Sequence, residues 1–104
     1  MRIAIASSGK DEESEISFAA GRAPYYLIFE DENFVETIKN PFAIGGGGAG
    51  FAVAKMLKDK DVDIVVAGEF GGNMISALEE KGIKTIELQD LTVKEALEKA
   101  KENA

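Results

Sequence analysis

The sequence predicts an α/β fold in which a five-stranded mixed sheet is covered by three helices. Three short runs in the first half of the chain have the apolar patterning of strands, and the second half alternates helical and strand patterns. The run 64–67 is continuously apolar, as in a parallel strand that is buried on both faces. A chain of 104 residues suits one hydrophobic core, so we expect a single domain over residues 1–104.

The first half of the chain predicts three strands. Residues 2–8 alternate β-branched and small side chains and indicate the first strand. A polar segment at 9–24 follows, and loops of that length are usually functional or mobile. The apolar run Tyr25–Glu30 and the alternating run 34–39 indicate an antiparallel hairpin around a turn at 31–33.

The second half predicts three helices that alternate with two strands. The first of these helices follows a glycine run and has one face of small and apolar residues, namely Gly50, Val53, Ala54 and Leu57. The next helix spans about 73–81 and stops at Gly82, which we expect in the left-handed conformation. The run 84–88 is the last strand. The last helix begins with a capping box, in which Thr92 is the N-cap and Glu95 stands three residues later. Its predicted buried stripe consists of Val93, Ala96, Leu97 and Ala100.

These elements predict the strand order 3-2-1-4-5, with strand 2 antiparallel to the other four. A meander of three strands followed by right-handed crossovers produces this order, which is that of a ribonuclease H-like three-layer fold. The segment 9–24, the glycine run and the turn 68–73 then all leave the sheet at the same end. Because ligands favour the crevice outside the carboxyl ends of strands where the chain changes direction, we expect a binding site there.

The glycine run is the clearest functional signal in the sequence: Gly45, Gly46, Gly47, Gly48, Ala49 and Gly50. Backbone without Cβ atoms lets a ligand approach closely. The helix that follows offers unpaired N–H groups and the positive end of its dipole at the same spot. The run therefore favours an anionic ligand, and a flexible connector is the alternative interpretation.

The residues present argue against three nucleotide- or metal-dependent interpretations. The first is a dinucleotide-binding site: the glycine run satisfies its pattern G-x-G-x-x-G, and Glu69 stands about 20 residues on, but residues 40–44 separate the run from its strand. Phe51 and Ala52 occupy the positions where a phosphate-binding P-loop needs lysine and a hydroxyl residue. A ribonuclease H-type nuclease needs acidic residues in the central strands for two Mg²⁺ ions, and the predicted strands lack them.

Other residues at this end of the sheet are candidates for holding a ligand. Arg22 offers a forked donor to an anion, or alternatively pairs with one of the acids at 11–15. The Ser8 hydroxyl has no base to activate it as a nucleophile. Asn73 is interpreted as a helix N-cap or as part of a second donor set, and Met74 as a core residue. The predicted ligand-binding residues are Ser8, Arg22, Gly45, Gly46, Gly47, Gly48, Gly71, Gly72 and Asn73.

Composition argues against several classes of function. The net charge is −7 and no basic patch stands out, so we expect no nucleic-acid partner. The chain has no cysteine and no histidine, which removes thiolate and imidazole metal ligands and the commonest general base, so we expect no enzymatic activity. No apolar run reaches the ~20 residues of a membrane span, and the N-terminal residues lack a signal-peptide pattern. We therefore expect a cytoplasmic protein that does not contact the membrane.

Four segments together resemble the dinitrogenase iron–molybdenum cofactor biosynthesis family, the small domains related to NifX and to the C-terminal region of NifB. The segments are Ile3-Ala4-Ile5-Ala6-Ser7-Ser8-Gly9-Lys10, Gly21-Arg22-Ala23-Pro24-Tyr25-Tyr26-Leu27, Asn40-Pro41 before the glycine run, and Val62-Asp63-Ile64-Val65-Val66-Ala67-Gly68 followed by Gly71-x-Asn73. Their order and spacing cover nearly the whole chain. The resemblance implies a ribonuclease H-like fold and a non-enzymatic carrier or scaffold for an anionic iron–sulfur or iron–molybdenum cluster.

The chain departs from this family at two points. Members usually carry Arg-Phe where this chain has Ala19-Ala20, and those that hold a cluster tightly do so partly through cysteine or histidine. The resemblance therefore implies that backbone N–H groups and Arg22 would hold the cluster here, or that the ligand is something else. Two hypotheses follow: a binding module for a small anion or metal cluster at this rim, or a protein–protein adaptor whose segment 9–24 and glycine run become ordered on a partner.

Overall fold

The computed structural model describes residues 1–44 and 48–103. They form β1 (Arg2–Ser7), β2 (Tyr25–Glu30), β3 (Asn33–Lys39), α1 (Ala49–Asp59), β4 (Ile64–Ala67), α2 (Gly72–Glu80), β5 (Lys84–Glu87) and α3 (Val93–Glu102). The sheet order is β3-β2-β1-β4-β5. Strand β2 is antiparallel to β1 and β3, whereas β4 is parallel to β1 and β5. The predicted α/β fold, strand order and strand directions are therefore confirmed.

The sheet separates two apolar layers, because successive residues of each strand point to opposite faces. One face packs against α1 and α2 through Ala4, Ala6, Tyr26, Ile28, Val65 and Ala67. The other face packs against α3 through Ile3, Ile5, Leu27, Phe29, Ile64 and Val66. All four residues of β4 are buried, as the continuous apolar run predicts for a central parallel strand. The molecule therefore has the predicted three layers.

The start of α3 and its buried face agree with the sequence. The Thr92 hydroxyl accepts the Glu95 N–H at 3.2 Å, and the Glu95 carboxylate accepts the Thr92 N–H at 2.9 Å. The predicted capping box is thus confirmed. The four predicted stripe residues of this helix are all buried. Gly82 after α2 has φ +73°, so its predicted left-handed conformation is also confirmed.

Backbone hydrogen bonds tie the segment 9–24 to the sheet. The Ser17 N–H donates to the Ala6 carbonyl at 2.8 Å, and the Gly68 N–H donates to the Ser17 carbonyl at 3.0 Å. On the α3 side, the Ile16 N–H donates to the Leu91 carbonyl at 3.0 Å. The segment is therefore anchored on both sides of the β1 and β4 ends.

Candidate functional site

An open cleft of about 360 Å³ lies at the carboxyl ends of β1 and β4. Its walls are the turn 18–22, the start of α1 and the connection from β4 into α2. These are the segments that the predicted topology directs to one end of the sheet. The cleft size falls in the range that small ligands occupy.

The first turns of α1 and α2 touch each other at the floor of the cleft. A Cβ atom added to Gly50 would lie 2.9 Å from the Met74 Cβ and 3.3 Å from the Met74 backbone nitrogen. On the other side, a Cβ atom at Gly21 would lie 3.7 Å from the Gly50 nitrogen. Only a residue without a side chain allows α1 to start this close to α2. Glycine at position 50 therefore brings the two helix starts together.

Both helices start without a side-chain cap. Gly48 is the N-cap of α1, with φ +84°, and Gly71 is the N-cap of α2. The first helical hydrogen bonds are Ala52 N–H to the Gly48 carbonyl and Ile75 N–H to the Gly71 carbonyl. The N–H groups of residues 49–51 and 72–74 come before these bonds and therefore have no acceptor within their own helix, as at every helix start. Their dipoles give the cleft a positive floor without requiring a charged side chain.

Asn73 does not cap α2, so that interpretation of the sequence is wrong. The residue lies inside the helix, which spans Gly72–Glu80, and the N-cap is Gly71. The side chain of Asn73 lines the cleft instead and is exposed. A cap formed by glycine leaves the helix start open to an external acceptor, whereas an asparagine cap would have occupied one N–H group. Met74 is 2% exposed, which confirms it as a core residue.

Arg22 and Glu69 are the charged side chains among the described residues that line the cleft. The Arg22 Nη1 donates to the Phe42 carbonyl at 3.3 Å, which joins the turn 18–22 to the segment after β3. Glu69 is exposed, and its backbone pairs with the same turn: its N–H donates to the Phe18 carbonyl at 2.6 Å. The cleft therefore carries one positive and one negative side chain beside two positive helix ends.

The buried side chain of Asn40 holds the Arg22 turn in place, and sequence reasoning missed this role. Its Nδ2 donates to the Gly21 carbonyl at 3.2 Å and to the Ala23 carbonyl at 2.9 Å. Its Oδ1 accepts the Phe42 N–H at 3.0 Å. In the sequence, Asn40 before proline indicates only the end of a strand. A buried asparagine that bonds both segments fixes the position of the Arg22 turn relative to the segment after β3.

Tyr26 supports the same turn from below and was also missed. Its ring is fully buried in the sheet face under α1 and α2, and its hydroxyl donates a short hydrogen bond to the Ala20 carbonyl. Burial raises the pKa of Tyr26 well above its ordinary value. A tyrosine in an apolar strand gives no sequence signal that its hydroxyl faces a loop carbonyl.

The structure places most of the predicted ligand-binding residues on the cleft, but not all of them. Arg22, Gly48, Gly71, Gly72 and Asn73 line it. Ser8 lies apart from it, and its hydroxyl donates to the Glu15 carbonyl at 2.8 Å. Gly45, Gly46 and Gly47 fall outside the described residues. Ligand binding by any of these residues stays a prediction.

The donor set of the cleft suits an anion rather than a directly ligated metal ion. The sequence contains neither cysteine nor histidine. Within 1–44 and 48–103, no three acidic, histidine or cysteine side chains cluster closely enough to hold a metal ion. The cleft therefore offers N–H donors and the Arg22 guanidinium group, beside the Glu69 carboxylate.

Across residues 1–44 and 48–103, no helix combines the length and apolarity that a bilayer crossing requires.

Comparison with known proteins agrees with this architecture. The apo form of the orange protein from Desulfovibrio gigas superposes with a TM-score of 0.92 at 25% identity, covering 98% of this chain and 88% of that chain. A Thermotoga protein proposed to be NifB, of the DUF35 family, superposes with a TM-score of 0.84 at 34% identity, covering 97% and 87%. No curated protein sequence matches the chain. The family model described as dinitrogenase iron–molybdenum cofactor matches residues 1–103, and this chain therefore belongs to that family.

Proposed function

We propose that this protein is a non-enzymatic carrier that holds an anionic metal–sulfur cluster, or a precursor of one, in the cleft. The cluster is cargo in this proposal rather than a resident cofactor. The observation that supports it is that two helix starts without side-chain caps lie together with Arg22 around one open cavity. Such a site attracts negative charge through backbone dipoles and a forked cation.

Membership of the iron–molybdenum cofactor family supports a metal–sulfur cluster as the class of cargo. The chain would hold it through hydrogen bonds to sulfide or oxo atoms, because the sequence has no thiol or imidazole to ligate iron. The non-enzymatic part of the proposal rests on the absence of an acid–base pair. Glu69 is the one carboxylate among the described residues of the cleft, and no nucleophile stands beside it.

A titration followed by amide NMR shifts tests the proposal. Phosphate, molybdate and a preformed iron–sulfur cluster are added separately to the ¹⁵N-labelled protein. We expect the shifts to concentrate at residues 21–22, 48–51 and 71–74, with the cluster binding more tightly than phosphate. Shifts that are absent, or scattered over the surface, would contradict an anion site at the cleft.

Two charge variants sharpen this test because they change the cleft in opposite directions. Arg22→Gln removes a charge-assisted donor and should weaken binding about tenfold or more. Glu69→Gln removes a nearby negative charge and should strengthen binding by about two- to fivefold. The matched control is Lys99→Gln, an exposed position on α3 on the other face of the sheet, which should change the affinity less than about twofold. A loss of affinity in Lys99→Gln as large as that in Arg22→Gln would indicate a response to net charge alone.

A further inference from the structure

Two further hollows follow the cleft around the outside of the molecule. The cleft shares Arg22 with a hollow of about 400 Å³. That hollow shares Pro41 with another of about 370 Å³, which lies against α1. Residues 41–44 form a ridge between these two hollows, and we call the ridge with its two hollows the ridge surface. It is continuous with the mouth of the cleft through Arg22.

The ridge surface is unusually apolar for an exposed region. Ile44 on the ridge is 94% exposed, and Phe42 beside it is 36% exposed. Phe51, on the first turn of α1 and one residue before Ala52 of the second hollow, is 52% exposed. Apolar side chains that cluster at one exposed place, with hollows between them, are typical of protein-binding surfaces.

The charge of the ridge surface is opposite to that of the whole chain. Among the described residues, its hollows are lined by four cations, Arg22, Lys39, Lys55 and Lys60, and by one acid, Asp59. The chain as a whole has a net charge of −7. Lys55 pairs with Asp59 at 2.8 Å on the exposed surface, where screening is strong, and Lys60 pairs with the half-buried Glu36 at 3.2 Å. With Glu36 included, these side chains carry four positive charges and two negative ones. The local excess of positive charge therefore favours an acidic partner.

We propose that the ridge surface is a docking site for an acidic amphipathic segment of a partner protein. Apolar side chains of that segment would fill the hollows on either side of Ile44, and its carboxylates would face Lys39, Lys55 and Lys60. A symmetric dimer fits less well, because an isologous contact sets this positively charged patch against the same patch of the second copy. An anionic bilayer also fits less well, since a chain of net charge −7 is repelled from it overall. The proposal does not depend on what the cleft binds.

The test uses two fluorescent helical peptides and needs no cleft ligand. One peptide has leucine at i, i+3, i+4 and i+7 with glutamate elsewhere, and the other replaces each glutamate by lysine. Fluorescence anisotropy should show the glutamate peptide binding at least about tenfold more tightly. Amide shifts should fall at 39–44 and 55–60. Equal affinity of the two peptides, no binding, or shifts elsewhere would overturn the proposal.

Protein variants distinguish this surface from a general charge effect. The double variant Lys39→Glu, Lys55→Glu should weaken peptide binding at least about tenfold, and Ile44→Ser should weaken it about threefold or more. The matched control Lys94→Glu, Lys99→Glu places the same charge change on α3, and it should stay within about twofold. All these side chains are exposed, so urea unfolding midpoints should remain close to that of the native sequence.

Two further measurements distinguish a partner segment from the two other candidate occupants of the surface, a second copy of the chain and a membrane. Sedimentation of the protein alone would reveal a dimer, and a dimer abolished by Lys39→Glu, Lys55→Glu would overturn the proposal in favour of a second copy. Cosedimentation with vesicles of phosphatidylglycerol, lost in the same variant, would overturn it in favour of a membrane. A protein that sediments as a monomer, does not cosediment with the vesicles and binds the glutamate peptide would support the proposal.

Discussion

Replacing Asn40 by leucine should remove the link between the Arg22 turn and the segment that leads to α1. Asn40 is 3% exposed, and its side chain makes three hydrogen bonds with backbone groups. Leucine has a similar size but cannot donate or accept. The change therefore leaves the Ala23 carbonyl buried without its donor, and it deprives the Gly21 carbonyl and the Phe42 N–H of partners in a half-buried region.

The expected loss follows from the burial of each orphaned group. A buried carbonyl without a partner costs about 1–3 kcal/mol, and a group that water can still reach costs about 1 kcal/mol. The three groups together predict a loss of about 3–5 kcal/mol in the free energy of unfolding. Since small domains have about 5–15 kcal/mol in total, the variant should fold but unfold at a much lower denaturant concentration.

Urea unfolding followed by circular dichroism measures this loss, provided that the m-value stays unchanged. Asn33→Leu is the matched control, because Asn33 is exposed at the start of β3 and its side chain makes no hydrogen bond within the described residues. The control should change the free energy of unfolding by less than about 0.5 kcal/mol. A loss below about 1 kcal/mol for Asn40→Leu would refute the idea that this side chain holds the two segments together.

Three further predictions concern the glycines, the buried tyrosine and the cap of α3. Gly50→Ala places a methyl group 2.9 Å from Met74 and should cost about 1–3 kcal/mol of unfolding free energy. The control Gly72→Ala meets nothing within 4 Å and should stay within about 1 kcal/mol of the native sequence. Equal urea midpoints of the two variants would contradict the tight contact. Tyr26→Phe removes the donor to the Ala20 carbonyl and should cost about 1–3 kcal/mol of unfolding free energy. Because the pKa of Tyr26 is raised in the folded state, the native sequence should lose stability above about pH 10, and the variant should lose less than the native sequence does. The pKa of Glu95 is lowered by its hydrogen bonds with the Thr92 backbone and hydroxyl, so its carboxylate stabilises the fold above the ordinary glutamate pKa and stops doing so as the pH falls through the lowered value. The difference in urea midpoint between the native sequence and Glu95→Gln should therefore shrink between about pH 6 and about pH 3, and a constant difference would contradict it.

The features that sequence reasoning predicted are those with a strong local signal. The apolar stripe and the capping box of α3 recur at fixed spacing, and the buried run 64–67 indicates a central strand without any knowledge of its neighbours. Strand order then follows from the connections, because crossovers are right-handed and a meander pairs consecutive strands. Because of that order, the three segments that form the cleft leave the sheet at the same end.

The features that sequence reasoning missed depend on contacts between distant residues. Asn40 reaches Gly21 and Ala23, 17 to 19 positions away along the chain, and nothing in the neighbourhood of Asn40 indicates that contact. The role of Gly50 becomes visible only when Met74 is placed against it. Residue type alone favours Asn73 as a cap or as part of a donor set, whereas backbone geometry gives the cap position to Gly71.

In the proposed carrier, the make-up of the cleft would suit the release of the cargo as well as its capture. Thiolate or imidazole ligands would bond covalently to iron, and release would require breaking those bonds. Backbone N–H groups and one guanidinium group form hydrogen bonds that are individually modest and are weakened by salt. A carrier of the proposed kind would therefore exchange its cluster without ligand substitution at the metal. The affinity of the preformed cluster should then fall steeply as ionic strength rises, and an affinity independent of salt would indicate that the cluster is bound in some other way.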